Sequence, residues 1–235
     1  MWPLGSVRTP LEEGKEYWQT GKDAWTGYSA VSFVILYNTN VVTYRELPTG
    51  WDSLLEPRWK GRVAVPDPLK SDMAASVLTE AAKNSEKEEF LDLLAENMQY
   101  QMPETFKEVE QGISDGRYSI GVTSEEAAKA MLAAGQDVDY IDPEEGECFF
   151  EDGTAIRKRT PNLDASEAFV TYTTCDDTKW LLRTQLLRQP AEDVAAENDR
   201  SDEDLKQRYS RQQEVLNIWK LIMEEKSGSA HEQEQ

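Results

Sequence analysis

The chain has 235 residues and sets 45 acidic against 25 basic side chains, a formal charge of −20. That balance repels nucleic acid and anionic membrane, while a hydrophobic share of 39% is that of a soluble globular protein. Two cysteines, Cys148 and Cys175, allow at most one bridge, fit no metal spacing, and are expected as unpaired, buried thiols.

Residues 1–17 hold no apolar stretch of signal-peptide length, and no run approaches a membrane span. Trp25-Thr26-Gly27-Tyr28 leads into Val34-Ile35-Leu36-Tyr37-Asn38-Thr39, a β-branched and aromatic run. Pro48 and Gly50 then mark a turn, Trp51, Leu54 and Leu55 form the apolar edge of a short helix, and Pro57 stops it. Lys60-Gly61 turns the chain into a buried strand over 63–65. Asp67-Pro68 ends that run, and Ser71 caps a helix to about 83 whose Ala74, Val77, Leu78 and Ala81 share a face.

Helices follow over 86–99, with an apolar stripe of Phe90, Leu91, Leu93, Leu94 and Met98, and over 103–114. A strand over 119–122, a helix over 123–134 closed by Gly135, and a strand over 138–141 complete an alternation that predicts a mostly parallel sheet covered on both faces. Beyond Gly153 the pattern predicts helices over 163–172 and 178–187, a charged stretch to Arg200, and a last helix over 202–225. Residues 227–235 are polar and are expected to be disordered.

The succession of a tryptophan helix, Trp59-Lys60-Gly61, a strand and Asp67-Pro68 followed by Ser71 resembles the solute-binding proteins of ABC importers. The likeness is to the branch that holds ferric-ion, phosphonate and sugar-phosphate binders. It continues through Gly116-Arg117-Tyr118-Ser119-Ile120-Gly121-Val122, Pro143-Glu144-Glu145-Gly146 and Thr160-Pro161-Asn162, covering roughly residues 18–195. The resemblance implies a type II periplasmic-binding-protein-like α/β fold, two lobes joined by a hinge. Residues 1–44 are expected as the hinge approach and remnant of lobe 1, 45–152 as the ligand-binding lobe 2, 153–226 as the return crossing and C-terminal helices of lobe 1, and 227–235 as tail. Because the hinge-like strand arrives by Val34, the resemblance also implies an incomplete first lobe and weak solute binding by this chain alone. It implies a monomer that captures a small polar solute between its lobes and delivers it to a membrane permease at the outer face of the cell membrane.

Three constellations are candidates for the site. Ser71, with the amides of Asp72 and Met73, offers the unpaired donors and partial positive charge of a helix start, which suit a phosphate, carboxylate or sugar oxygen; Ser71 as a plain cap explains it equally well. Thr123 with Glu126 matches a capping box, and the resemblance places this junction at the cleft, within reach of Ser124 or Glu125. Asp142 and Glu144-Glu145-Gly146-Glu147 concentrate negative charge without calcium-loop spacing. The resemblance sets Glu145 beside the cleft as an acceptor for ligand hydroxyls or amines. Trp18, Trp25 and Tyr28 either wall a ligand or pack the interior, the second being the first expectation.

Neither a cofactor nor a resident metal is expected: no Gly-rich phosphate loop or H-E-x-x-H occurs, no adjacent tyrosine pair for ferric ion, and the single histidine is His231. The acids at Asp72, Glu125 and Glu145 favour a neutral, cationic or singly phosphorylated ligand over a polyanion. Two other classes remain open on sequence: an effector-binding domain of a transcriptional regulator on the same fold, and an enzyme working with a carboxylate pair.

Overall fold

The computed structural model describes residues 26–146, 148–157, 159–191 and 202–233, with side chains omitted at 202–205 and 227–233. Trp18, Trp25, the first 17 residues and most of the charged stretch before Arg200 lie outside the described residues. In chain order come β1 (Thr26–Asn38), β2 (Val63–Ala64), α1 (Asp72–Asn84), α2 (Phe90–Asn97), α3 (Phe106–Ser114), β3 (Ile120–Ser124), α4 (Glu125–Ala133) and β4 (Val138–Ile141). They are followed by β5 (Cys148–Thr154), α5 (Leu163–Thr173), α6 (Asp176–Leu181), a π turn over Leu182–Leu186, β6 (Gln189–Pro190) and α7 (Asp202–Gln233). Contacts divide the chain into two units. One draws on 1–31 and 150–206, the other on 32–149 and 207–235, so the division falls within β1 and β5.

The larger unit is built on β1. Its residues Val34, Ile35 and Leu36 are completely buried, as a continuous β-branched and aliphatic run demands of a central strand. The order is β2-β3-β1-β4, with β1 antiparallel to both neighbours: Ile35 lies opposite Val122 on one side and Ile141 on the other. Only β2 and β3 form a parallel pair, Val63 opposite Ile120. The expected mostly parallel sheet is therefore a mixed one. Strand–helix alternation reports the crossover from β3 through α4 to β4, but it does not reveal that an earlier strand is inserted between them.

One face of this sheet packs Val34, Leu36 and Ala64 against Val109 and Ile113 of α3 and Ala128 and Met131 of α4. Gly121 permits the close approach of β2, since a Cβ there would stand 2.6 Å from the Ala64 carbonyl oxygen and 2.8 Å from Val109 Cγ1. Helix α1 buries Ala74, Ala75, Val77, Leu78 and Ala81, the stripe expected from its spacing. Between β1 and β2, Trp51 and Leu54 are fully buried, and Asn97 donates to the Leu54 and Glu56 carbonyls at 2.8 and 2.9 Å.

Helix α7 packs on the α/β unit: Arg208 Nε lies 2.8 Å from Glu80 Oε1, and the Lys226 ammonium stands 4.8 Å from the Tyr100 ring centroid. Val215 is buried and Trp219 is completely so, giving this long polar helix one anchored stripe. Its backbone is helical through Gln233, beyond the last described side chain at Lys226. A helix once nucleated adds one backbone bond per residue, so it can run past its last packed side chain into a polar segment.

In the smaller unit, Ser29 and Ala30 of β1 pair with Pro190 and Gln189 of β6. Asp152 of β5 ties these strands together, accepting from the Ser29 hydroxyl at 2.8 Å and from Arg188 at 2.6 Å. Helix α5 buries Val170, Cys175 is buried at the cap of α6, and the π turn buries Leu182 before Leu187 enters the left-handed region at φ 55°. The second predicted helix of this region is thus α6 and the π turn together. Both cysteines are buried, and they form no disulfide with each other.

Candidate functional site

Strands β2 and β3 are adjacent and parallel, so the helices that follow them, α1 and α4, begin at the same end of the sheet. Ser71 caps α1 and accepts from the Ala74 amide at 3.2 Å; Ser124 caps α4 and accepts from the Ala127 amide at 3.3 Å. A third helix starts there as well. Thr105 caps α3, accepting from the Glu108 amide at 3.2 Å, and α3 then leads back to the start of β3. The three starts are stitched together. The Asp67 amide donates to the Pro103 carbonyl at 2.9 Å, and the Lys70 ammonium bonds the Glu104 carboxylate. The Phe106 and Phe33 rings stand 5.2 Å apart, and Phe33 lies opposite Ser124 in the β1–β3 ladder.

Each helix start presents backbone N–H groups that its own carbonyls cannot reach. In α1 the third and fourth amides are taken, by the Ser71 hydroxyl and by the Ser71 carbonyl at 2.9 Å. Among the described residues, no acceptor stands opposite the amides of Asp72 and Met73, nor those of Phe106 and Lys107 in α3. Two pairs of donors, each backed by a helix dipole, therefore face the same end of the sheet. Acidic side chains in the first turns, Asp72, Glu108, Glu125 and Glu126, temper that positive potential.

The residues singled out in sequence fare differently. Ser71, Asp72 and Ser124 lie at this end of the sheet, Ser71 and Ser124 half-buried and Asp72 exposed. Thr123 is not the cap of α4; it is the penultimate residue of β3, completely buried, and its hydroxyl donates to Glu110 Oε1 at 2.7 Å. One residue of extra strand pairing, Phe33 opposite Ser124, keeps Thr123 in the sheet and passes the cap to Ser124. Glu125 turns along α4, 2.7 Å from the Lys129 ammonium, and accepts from the Tyr140 hydroxyl at 3.4 Å. Burial first, and then the nearby charges of Glu125 and Asp142, push the Tyr140 phenol above its ordinary pKa.

Glu145 performs a local task. Its two oxygens accept from the Trp51 amide at 2.9 Å and the Asp52 amide at 3.0 Å, filling the start of the short helix Trp51–Leu55. Gly50 makes room, since a Cβ there would fall 1.6 Å from Glu145 Oε2. The Trp51 indole donates to the Gly146 carbonyl at 3.1 Å, and the Glu144 amide to the Thr49 carbonyl at 2.9 Å. Tyr28 is half-buried in the part of β1 belonging to the other unit, and Trp25 lies outside the described residues.

Sequence reasoning passed over Thr105, Phe106, Lys107 and Glu110. Thr105 with Glu108 three positions on is a helix-start signature, and it was readable; the Glu108 carboxylate in fact accepts from the Glu104 amide at 2.7 Å. The pairing of Glu110 with Thr123 left no such mark. Among the described residues, no three His, Cys, Asp or Glu side chains gather as a metal site requires, and no helix is long and apolar enough to cross a membrane.

The fold is shared with solved proteins of low sequence identity. The periplasmic binding protein AfuA from Actinobacillus pleuropneumoniae, solved with exogenous fructose-6-phosphate bound, is 15% identical with TM-score 0.71, covering 93% of this chain and 76% of that one. The ferric binding protein from Campylobacter jejuni is 14% identical with TM-score 0.69, over 88% of this chain and 75% of that one. The periplasmic binding protein P5PA is 22% identical with TM-score 0.57 over 68% of this chain, which spans about half of its length, 52%. No curated protein matches the chain. The family model for bacterial extracellular solute-binding proteins matches residues 7–213, and the chain belongs to that family.

Proposed function

We propose that this chain is part of the solute-binding component of an ABC importer, working outside the cytoplasmic membrane and delivering its solute to permease subunits. Family membership supports the class of function. The observation that carries the site is the set of open amides at Asp72, Met73, Phe106 and Lys107, gathered at one end of the sheet. Helix-start amides hold an oxyanion without a basic side chain, and their dipoles add to the attraction.

The solute that suits them is a small hydroxylated molecule carrying one phosphate or a comparable oxyanion. The acids Asp72, Glu104 and Glu108 raise the cost of negative charge beyond that of one phosphate group, as on a tricarboxylate. Solute binding then favours the conformer that the permease recognises, to the extent that the solute binds it better than the other.

Calorimetry with glucose-6-phosphate, inorganic phosphate, glucose and citrate tests the proposal. Glucose-6-phosphate and phosphate are expected to bind, glucose weakly or not at all, and citrate more weakly than either phosphate. Equal binding of glucose and glucose-6-phosphate, or a preference for citrate, would overturn it.

A further inference from the structure

The candidate site is held from outside by a residue far along the chain. Arg208, Gln212, Val215 and Trp219 recur at the spacing of one helix face, and on α7 that face lies against the α/β unit. Arg208 pairs with Glu80 in the second half of α1, their side chains 22% and 12% exposed, so solvent screens this pair less than the other ion pairs among the described residues. One turn further along α7, Gln212 Nε2 donates to the Asp72 carbonyl at 3.2 Å. That carbonyl is the first of α1, and it also accepts from the Ser76 hydroxyl at 2.9 Å. Two successive turns of α7 thus grip α1 near its end and at its first residue.

We propose that Gln212 is a positioning residue for the solute site: by bonding the Asp72 carbonyl it fixes the first turn of α1, and with it the direction of the Asp72 and Met73 amides. The proposal rests on the solute reading above. The Asp72 peptide carbonyl and the Met73 amide belong to one rigid plane, so holding the oxygen aims the N–H. A bond made at the solvent-facing end of a long side chain is weak, and its effect is correspondingly modest and local. Arg208 sets where α1 lies, and Gln212 sets how its first turn is directed.

The test compares Gln212→Met, which keeps the length and loses the donor, with Gln212→Asn, which keeps the amide but is one methylene too short, and with Arg208→Met. Melting temperature, hydrogen exchange at Ala74, Ala75 and Ser76, and affinity for inorganic phosphate are read for each. Both Gln212 variants are expected to leave melting near wild type, to speed exchange in that turn about threefold, and to weaken phosphate by a similar factor. Arg208→Met is expected to lower the melting temperature without singling out that turn. Unchanged exchange in both Gln212 variants, or faster exchange with unchanged phosphate affinity, would overturn the positioning role. Failure of the wild-type protein to bind phosphate at all would overturn the solute reading instead, a different result from any of these.

Discussion

Two helix starts in the same unit use the same backbone chemistry in opposite ways. At Trp51 and Asp52 the free amides are filled by the chain itself, with the Glu145 carboxylate bonded to both across a glycine that leaves it space. At Asp72 and Met73 the amides lie beside a serine cap and, among the described residues, no carboxylate is bonded to them. Glu145 demonstrates that this fold can satisfy a helix start with its own oxyanion. The contrast teaches that an open helix start is a distinct arrangement, one that accommodates an oxyanion brought by a solute.

The filled start offers the largest effects. Glu145→Ala should cost about 2 kcal/mol, because two partly buried amides lose a charged acceptor. Gly50→Ala should cost a similar amount by displacing the same carboxylate, since the extended backbone at φ −171° tolerates a side chain. The double variant should then be little worse than either single one, whereas additive losses in denaturant unfolding would show that the two act separately.

The caps come next. Ser71→Ala should lower stability by about 1 kcal/mol and weaken phosphate binding, while Ser124→Ala should match it in stability alone if the open amides of α1 and α3 form the site. Equal loss of phosphate affinity in both variants would shift the site toward α4. Thr123→Val should cost about 1 kcal/mol by leaving half-buried Glu110 without its donor, and should not change phosphate affinity.

The smallest effect is in pH. The Tyr140 and Tyr37 phenols are both raised above the ordinary phenol pKa of 10.0, mainly by burial. A raised folded pKa means the folded protein holds these protons more tightly. Their contribution is therefore complete below about pH 10 and is lost as pH climbs through the folded values. Tyr140→Phe should flatten that alkaline decline in a pH series of thermal melts, and an unchanged slope would assign it elsewhere.

Much of this was legible in the chain. The Ser71 cap and the apolar stripe of α1 follow from spacing and capping chemistry, and the strand at Val34 from the family resemblance, while the start of α3 at Thr105 with Glu108 was readable but passed over. Local pattern carries no register, however, and register moved the α4 cap from Thr123 to Ser124 through a single ladder pair with Phe33. Strand insertion was hidden for the same reason, because β1 lies between strands that come about 85 and 100 residues later. Glu145 was legible as an acid near a turn, yet its partners stand 93 and 94 residues away, and only the fold shows that both are backbone amides.

The central claim is that the amides of Asp72, Met73, Phe106 and Lys107 form one oxyanion site while those of Trp51 and Asp52 are closed. Amide chemical shifts recorded during titration with glucose-6-phosphate read all six residues at once. The four open amides are expected to move together along one binding curve, with Trp51 and Asp52 unmoved. Movement at Trp51 and Asp52, or separate curves for the α1 and α3 pairs, would contradict the account.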